Sequence, residues 1–352
     1  MSGVRIVDAA GSPRQIGRAH GEHMRGQIAG AMDRWIEVIE RQTLMSGAAY
    51  LASFAAATNF RPAMDQWAPQ LIDEIAGIAE GARQDFGRML AYQLMDEEWA
   101  YRSSLVRAGT GSIEACTSFG LIRDDGSALL AQNMDLPSHY DGSQVVLRLR
   151  PETGPAAMLF TPAGMIGTTG LNERGVGVCV NAMVQLRHAS IGVPVGCVLR
   201  AMLACDNVDA AADVIKRAPH ATAQNYVIGG SGRIYDFEAS RDQVQEVKPE
   251  SGRVMHTNHP LANDDLDPDV SDVDSTTVVR LERLHELLTG RDGVTVERAQ
   301  HALSDLKAPI CVSRGSSWMT LGSVVMELTG DPVLHVAPGP PAMTPYSEIR
   351  FT

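Results

Sequence analysis

Through the first hundred positions the apolar residues recur at helical spacing. Residues 4–8 read as a short strand, and Gly11-Ser12-Pro13 then opens a helix, with Ser12 as N-cap and Pro13 in the first turn. From there to about Thr43, positions Ile16, Ala19, His20, Met24, Ile28, Met32, Ile36 and Ile39 fall on related faces. The Gly/Ala-rich segment 47–58 reads as helical. Pro62 to Phe86 repeats the pattern through Leu71, Ile72, Ile75, Ile78 and Ala79 and stops near Gly87, and 88–103 reads as one more helix. This first third shows no obvious chemistry. Ser103 to Ser112, polar and Gly-containing, suits an exposed linker.

Beyond Cys116 the period changes. Segments 117–123, 128–134, 144–150, 156–161, 165–171 and 176–181 are short, apolar or alternating, and split by Gly, Pro, Asp and Asn, as strands are. Helices follow over 194–205 and 208–218, the second with Val208, Ala211, Ala212, Val214 and Ile215 as its buried stripe. Strands are expected near 223–229, 232–239, 243–248 and 253–257. The acidic loop 262–274 is read as the most solvated stretch. Ser275 or Thr276 caps a helix to Leu288 that turns Val278, Leu281, Leu284 and Leu288 inward. A helix over 295–305 and strands near 318–327, 332–336 and 345–351 complete the chain.

Helices first, then strands, then helices set between further strands favour an α+β fold with antiparallel sheets covered by helices. Strict β-α-β alternation is absent, which argues against a doubly wound parallel sheet. Gly229-Gly230-Ser231-Gly232 lies between two strands and reads as a hairpin turn, not a phosphate loop.

Composition removes several function classes. The net charge of −12, without any Lys/Arg run, speaks against a nucleic-acid or anionic-membrane surface. The N-terminus has no apolar signal region, and no apolar stretch is long enough to span a bilayer. Five widely spaced cysteines with no Cys-x-x-Cys fit reduced thiols in a cytoplasm rather than a disulfide framework or a zinc site. His256 and His259 could be assembled with Asp264 and Asp265 into a metal site, but i and i+3 on a strand point to opposite faces, so no metal or other cofactor is expected.

The chemistry that remains centres on Cys116. Cys116-Thr117-Ser118-Phe119-Gly120, the turn Asp124-Asp125-Gly126-Ser127 and Ala128 to Asp135 read as a hairpin that brings a thiol and a carboxylate to one end. A lone cysteine is more often a small buried apolar group, and Asp135 alone could be a strand-end turn residue. If the chain were cut before Cys116, however, the freed α-amine, with a pKa of about 7.7–8.0, could take the proton of its own thiol. Asp135 would orient that amine. Asn258 and Asn181 end expected strands and can offer oxyanion donors, or be ordinary turn asparagines. Arg280 stands near a helix start, where the dipole disfavours a cation; a partner such as Asp135 or a substrate carboxylate is one explanation, a surface ion pair another.

These segments resemble the acyl-coenzyme A:6-aminopenicillanic acid acyltransferase family, whose members are self-cleaving cysteine enzymes among the N-terminal-nucleophile hydrolases. More distantly, the hairpin is similar to penicillin V acylase and bile-salt hydrolase. The likeness runs from Gly11-Ser12-Pro13, Ile16-Gly17 and His20-Gly21 through the hairpin. It continues in Gly170-Leu171-Asn172-Glu173-Arg174-Gly175-Val176-Gly177, Asn225-Tyr226, Asp236-Phe237-Glu238-Ala239 and His256-Thr257-Asn258-His259, and ends at Ser275 to Leu281.

The resemblance implies a four-layer α-β-β-α sandwich and cleavage between Ala115 and Cys116. Residues 1–115 would remain as a helical small subunit and 116–352 would form the catalytic large one, together a self-derived heterodimer. It implies Cys116 as nucleophile, its amine as base, Asp135 as the group that orients the amine, Asn258 and Asn181 as oxyanion donors, and Arg280 as an active-site arginine. The substrate would be a small-molecule amide or acyl thioester. Two departures stand out. Ala115 replaces an expected glycine and narrows the backbone at the scissile bond. Gln132 replaces the arginine of the bile-salt hydrolases. The rival readings are an uncut cysteine hydrolase with His139 or His256 as base, and a non-catalytic binding protein on the same fold.

Overall fold

The computed structural model of the chain describes residues 3–106, 116–270, 276–289, 294–315 and 317–351. It begins with β1 (Arg5–Gly11), α1 (Pro13–His23) and α2 (Arg25–Thr43). Ser12 caps α1 reciprocally: its hydroxyl accepts from the Gln15 N–H, and the Gln15 side chain accepts from the Ser12 N–H at 2.8 Å. The single helix expected over 13–43 is two, because Met24 leaves helical angles at φ −110° and ψ 17°. Next come α3 (Gly47–Ala57), α4 (Arg61–Trp67) and α5 (Pro69–Ala82). The helix expected over 62–86 breaks at Ala68, the residue before a proline, which is pushed out of helical angles. α5 ends at Arg83 in the left-handed region (φ 57°). α6 (Phe86–Gln93) and α7 (Met95–Leu105) replace the helix read over 88–103, so α7 uses up the start of the expected linker. Ala115 and the rest of that linker from residue 107 lie outside the described residues.

The remaining elements are β2 (Thr117–Ile122), β3 (Ala128–Pro137), β4 (Gln144–Pro151), β5 (Ala157–Pro162), β6 (Thr169–Asn172) and β7 (Gly177–Ala182). Then follow α8 (Val195–Leu203), α9 (Val208–Arg217), β8 (Gln224–Gly230), β9 (Arg233–Ala239), β10 (Val244–Glu246) and β11 (Arg253–His256). The chain closes with α10 (Thr277–Leu288), α11 (Val296–Leu303), β12 (Trp318–Leu328), β13 (Val333–Ala337) and β14 (Ser347–Arg350).

Among the described residues the strands form two sheets. One has the order β1-β4-β5-β6-β7-β8-β9-β10 and the other β11-β2-β3-β12-β13-β14. All neighbours are antiparallel except β1 and β4, which run parallel from Arg5 opposite Val145 to Gly11 opposite Pro151. The sheets close on each other where glycines meet large side chains: Gly177 and Gly229 lie against Leu130 and Leu328, and Gly120 against Val227. α1 lies on β1 and β4, and α8 and α9 on β6 to β9. The Arg200–Glu74 pair at 2.6 Å ties α8 to α5 in that outer layer. On the far side α10 and α11 cover the six-stranded sheet, with Phe119, Leu121, Leu129, Ala131 and Val325 packed on Leu284, Leu288, Ala299 and Leu303. The α+β, four-layer α-β-β-α architecture is therefore observed.

Two local expectations are corrected. α10 exposes Val278 and buries Arg280, so its inward face is Thr277, Arg280, Leu284 and Leu288. The acidic loop is not uniformly solvated: Asn263 and Asp265 are buried, with Asp265 Oδ2 accepting from the Ser240 hydroxyl at 2.7 Å.

Candidate active site

β3 is buried along its whole length, so its two faces look into two different cores. Leu129, Ala131, Asn133 and Asp135 face α10 and α11; Leu130, Gln132, Met134 and Leu136 face the other sheet. β2 pairs with β3 from Thr117 opposite Asn133 to Ile122 opposite Ala128. One step beyond that register, Cys116 stands across from Met134, on the face between the sheets.

Cys116 is 7% exposed and borders a cavity of about 50 Å³. Its Sγ–H points to the Asp135 carbonyl oxygen at 3.8 Å. Met134, Leu136 and Val180 form one wall of the cavity, and Val195 and Leu199 of α8 another. The third wall is Met95, Asp96 and Trp99 of α7. The helical first third, read as carrying no chemistry, therefore supplies part of the site.

Asp135 is fully buried on the opposite face of β3, and neither carboxylate oxygen has a hydrogen-bond partner among the described residues. Burial pushes its pKa up to about 7, against the lowering influence of the Thr320 hydroxyl across β12 and of the Arg280 guanidinium.

Arg280 is also fully buried. Its Nη1 donates to the Cys116 carbonyl oxygen at 2.6 Å and to Thr117 Oγ1 at 2.8 Å. Its Nη2 donates to Asn258 Oδ1 at 2.8 Å, and its Nε to Thr276 Oγ1 at 3.0 Å. Thr276 thus binds the arginine instead of capping α10. Burial lowers the Arg280 pKa to about 10, opposed by Asp135 and Cys116, so the guanidinium stays charged at neutral pH. Such a fan of donors fixes the Cys116 main chain and the Asn258 amide as one unit.

Asn258 follows β11 and is 2% exposed. With Oδ1 held by Arg280, its Nδ2 is aimed at the Ala182 carbonyl oxygen, 3.0 Å away, and Ala182 borders the cavity. Its backbone N–H donates to Thr277 Oγ1 at 2.8 Å. Asn181 joins the two sheets: its Nδ2 donates to Ser118 Oγ at 2.9 Å and to the Thr257 carbonyl oxygen at 3.0 Å. Gln132 Nε2 donates to the Val180 carbonyl oxygen at 2.5 Å and so also braces the sheets. The structure brings Cys116, Asp135, Asn258 and Arg280 around one point, while Asn181 braces the floor beneath Ser118.

Neither candidate histidine base borders the cavity. Burial pulls His139 down to about 3. His256 Nε2 is 2.8 Å from Glu238 Oε1, and His259 Nδ1 is 2.9 Å from Thr277 Oγ1, so the two rings take separate partners. Among the described residues no cluster of His, Cys, Asp and Glu could hold a metal ion, and no helix is long and apolar enough to cross a membrane.

Sequence reasoning missed Thr117, Thr257, Thr276, Thr277 and Glu238. Glu238 accepts from His256 and from the backbone N–H groups of Leu261, Ala262 and Asn263, which sets the course of the loop after Asn258. A buried acid flanked by Phe237 and Ala239 in a strand was the available signal.

The chain is 27% identical over 331 residues to the 40 kDa form of acyl-coenzyme A:6-aminopenicillanic-acid-acyltransferase from Emericella nidulans, covering 92% of this chain and 90% of that one. Among solved structures, a variant of the conjugated bile acid hydrolase of Clostridium perfringens matches with a TM-score of 0.47 and 15% identity, over 67% of this chain and 92% of the other. Penicillin V acylase from Agrobacterium tumefaciens matches with a TM-score of 0.38 and 14% identity, over 67% and 86%. Residues 122–331 match the family described as acyl-coenzyme A:6-aminopenicillanic acid acyl-transferase, and the chain belongs to that family.

Proposed function

We propose that this chain is a self-processing cysteine amidohydrolase that cleaves a small-molecule amide or acyl thioester through a thioester acyl-enzyme. In the uncut chain the Cys116 thiol attacks the Ala115 carbonyl carbon. The peptide C–N bond breaks, the nitrogen takes a proton and becomes the new α-amine, and water hydrolyses the resulting thioester to a carboxylate and the free thiol. In the cut enzyme that amine takes the thiol proton as sulfur attacks the substrate carbonyl, then passes it to the leaving amine. Water releases the acyl group. Residues 1–115 stay in place as the small subunit, and 116–352 form the large one.

The observation that carries this reading is the division of labour across β3. The thiol of Cys116 faces a cavity, while Asp135, a buried carboxylate without a hydrogen-bond partner among the described residues, sits on the other face beside the same main chain. A carboxylate so placed is suited to an ammonium on the Cys116 backbone rather than to the sulfur. The amide of Asn258, fixed by Arg280 and aimed toward the cavity rim, is suited to a developing oxyanion. Asn181, committed to Ser118 and Thr257, contributes as a brace for that donor. Amide hydrolysis is favoured over transfer, since water needs no dedicated site to reach the thioester, whereas an acceptor needs a pocket that keeps water out.

Intact mass of the purified protein, with N-terminal sequencing of the larger piece, tests the reading. Two pieces are expected, the larger beginning at Cys116, and Cys116→Ala should leave one uncut chain without turnover. A wild-type chain that stays whole yet turns over amides at full rate would overturn it.

A further inference from the structure

The cavity that holds the thiol is mostly apolar, with Thr168 and Gln224 on its lining and one charged side chain among the described residues. Asp96, in the first turn of α7, borders it. It also borders a second, smaller cavity between α7, residues 165–168 and the start of α8. A carboxylate at the junction of two cavities stands on the approach to Cys116. Its neighbour Glu97 points elsewhere: Glu97 Oε1 accepts from the Val195 N–H at 3.0 Å and from the Thr222 hydroxyl at 3.1 Å, which caps the start of α8. Asp96 has no such duty. Gln224 Nε2 donates to its Oδ1 at 3.1 Å, and its other oxygen takes no side-chain donor among the described residues. Asp96 remains partly exposed although α7, α8 and β8 close around it.

We propose that Asp96 binds a positively charged amino group of the substrate, so that the preferred substrates are amides or thioesters carrying a primary amine a few bonds from the scissile carbonyl. The deduction rests on the reading of Cys116 as nucleophile and names the substrate class for it. A narrow apolar cavity accepts a short alkyl chain, and a single carboxylate within it selects the charge at the end of that chain. Burial pushes the Asp96 pKa up, because the carboxylate loses water, and a counter-charge restores what burial removes. The N-terminal position in α7 adds to the preference for the ionised form.

The test compares two small thiol reagents that differ in charge, 2-aminoethyl methanethiosulfonate and propyl methanethiosulfonate, with modification at Cys116 followed by peptide mass. Salt at about 0.5 M screens the field of the whole chain. The cationic-to-neutral rate ratio at Cys116, divided by the same ratio for free 2-mercaptoethanol, should be about tenfold or more. Asp96→Asn should bring it to within about twofold of the free thiol. A wild-type ratio equal to that of the free thiol overturns the proposal, whether or not the variant folds. A second arm compares hydrolysis of β-alanyl and propionyl amides of one aromatic amine, and Asp96→Asn should lower the β-alanyl preference by about tenfold. Charge-selective modification without any amide or thioester turnover would keep the cation site and sink the hydrolase. Turnover with equal rates on both amides would keep the hydrolase and sink the cation site.

Discussion

Burial decides how Asp135 behaves in the uncut chain. Its folded pKa is raised to about 7, above the ordinary 3.8. Between these values the unfolded chain has lost the proton that the folded chain keeps, so stability falls as pH rises from about 4 to about 7. In an uncleavable Cys116→Ala background, Asp135→Asn removes that penalty. The variant should gain on its parent progressively over this pH range, by an amount on the order of a few kcal/mol at pH 8. Urea unfolding at pH 4.5 and pH 8 measures it, and equal gains at both values would refute the account. Arg280 behaves oppositely. Arg280→Met leaves the Cys116 carbonyl, Thr117 Oγ1 and Asn258 Oδ1 without their donor. Roughly 3 kcal/mol or more of stability should go, along with turnover; a variant within 1 kcal/mol of wild type would mean water replaces the guanidinium. The hairpin and strand ends made Cys116, Asp135 and Asn258 candidates and the helix start made Arg280 one, while the family resemblance supplied their roles. The sequence did not reveal Thr276 and Thr277 as arginine and asparagine partners, since a hydroxyl at a helix start looks the same whether it caps the helix or turns inward.

At the scale of elements, α1 and α5 cross so closely that side chains are excluded at the crossing. A Cβ on Gly17 or Gly21 would run into the Glu74 or Ile78 backbone, and one on Gly77 or Gly81 into the backbone at Arg14 or Arg18. Neither backbone can yield without parting the helices. Gly17→Ala and Gly77→Ala should each cost about 3 kcal/mol, while Gly26→Ala on α2, where a Cβ meets nothing within 4 Å, should be neutral or stabilising. Thermal unfolding would decide, and equal shifts for the three variants would show that the crossing is not tight. The spacing Gly17-x-x-x-Gly21 and Gly77-x-x-x-Gly81 was visible in the chain, but periodicity alone does not say that two such faces meet. The stripes of α5 and α9 were legible because they rest on ordinary apolar burial. The inward face of α10 was not, because its largest buried side chain is a cation. Breaks at Met24, Ala68 and Leu94 escaped because the hydrophobic pattern continues across them while the backbone turns.

For the whole molecule, antiparallel sheets covered by helices followed from the order of helices and strands, and the four-layer α-β-β-α stacking from the family resemblance. The parallel pairing of β1 with β4 did not, because a strand outside the main run of hairpins leaves no local sign of its partner. That pairing anchors residues 3–106 to the large sheet through β1. Arg148 and Asp8 pair across it, Arg200 holds Glu74, Glu97 caps α8, and Arg34 Nε donates to the His139 carbonyl oxygen at 2.9 Å. Apolar residues on both sides of the proposed cut, such as Ile28, Trp35, Ile75, Tyr92, Phe160 and Leu199, belong to one continuous core. A cut before Cys116 would break one covalent bond and none of these contacts. Residues 1–115 and 116–352 produced as separate chains in one cell should therefore co-purify as a one-to-one pair and part only under denaturant. The larger chain alone lacks the α7 wall of the cavity and the strand that covers β4, so it should aggregate or stay inactive, with turnover returning after refolding with the smaller chain. Full activity from 116–352 by itself would show that α7, and Asp96 with it, takes no part in the site.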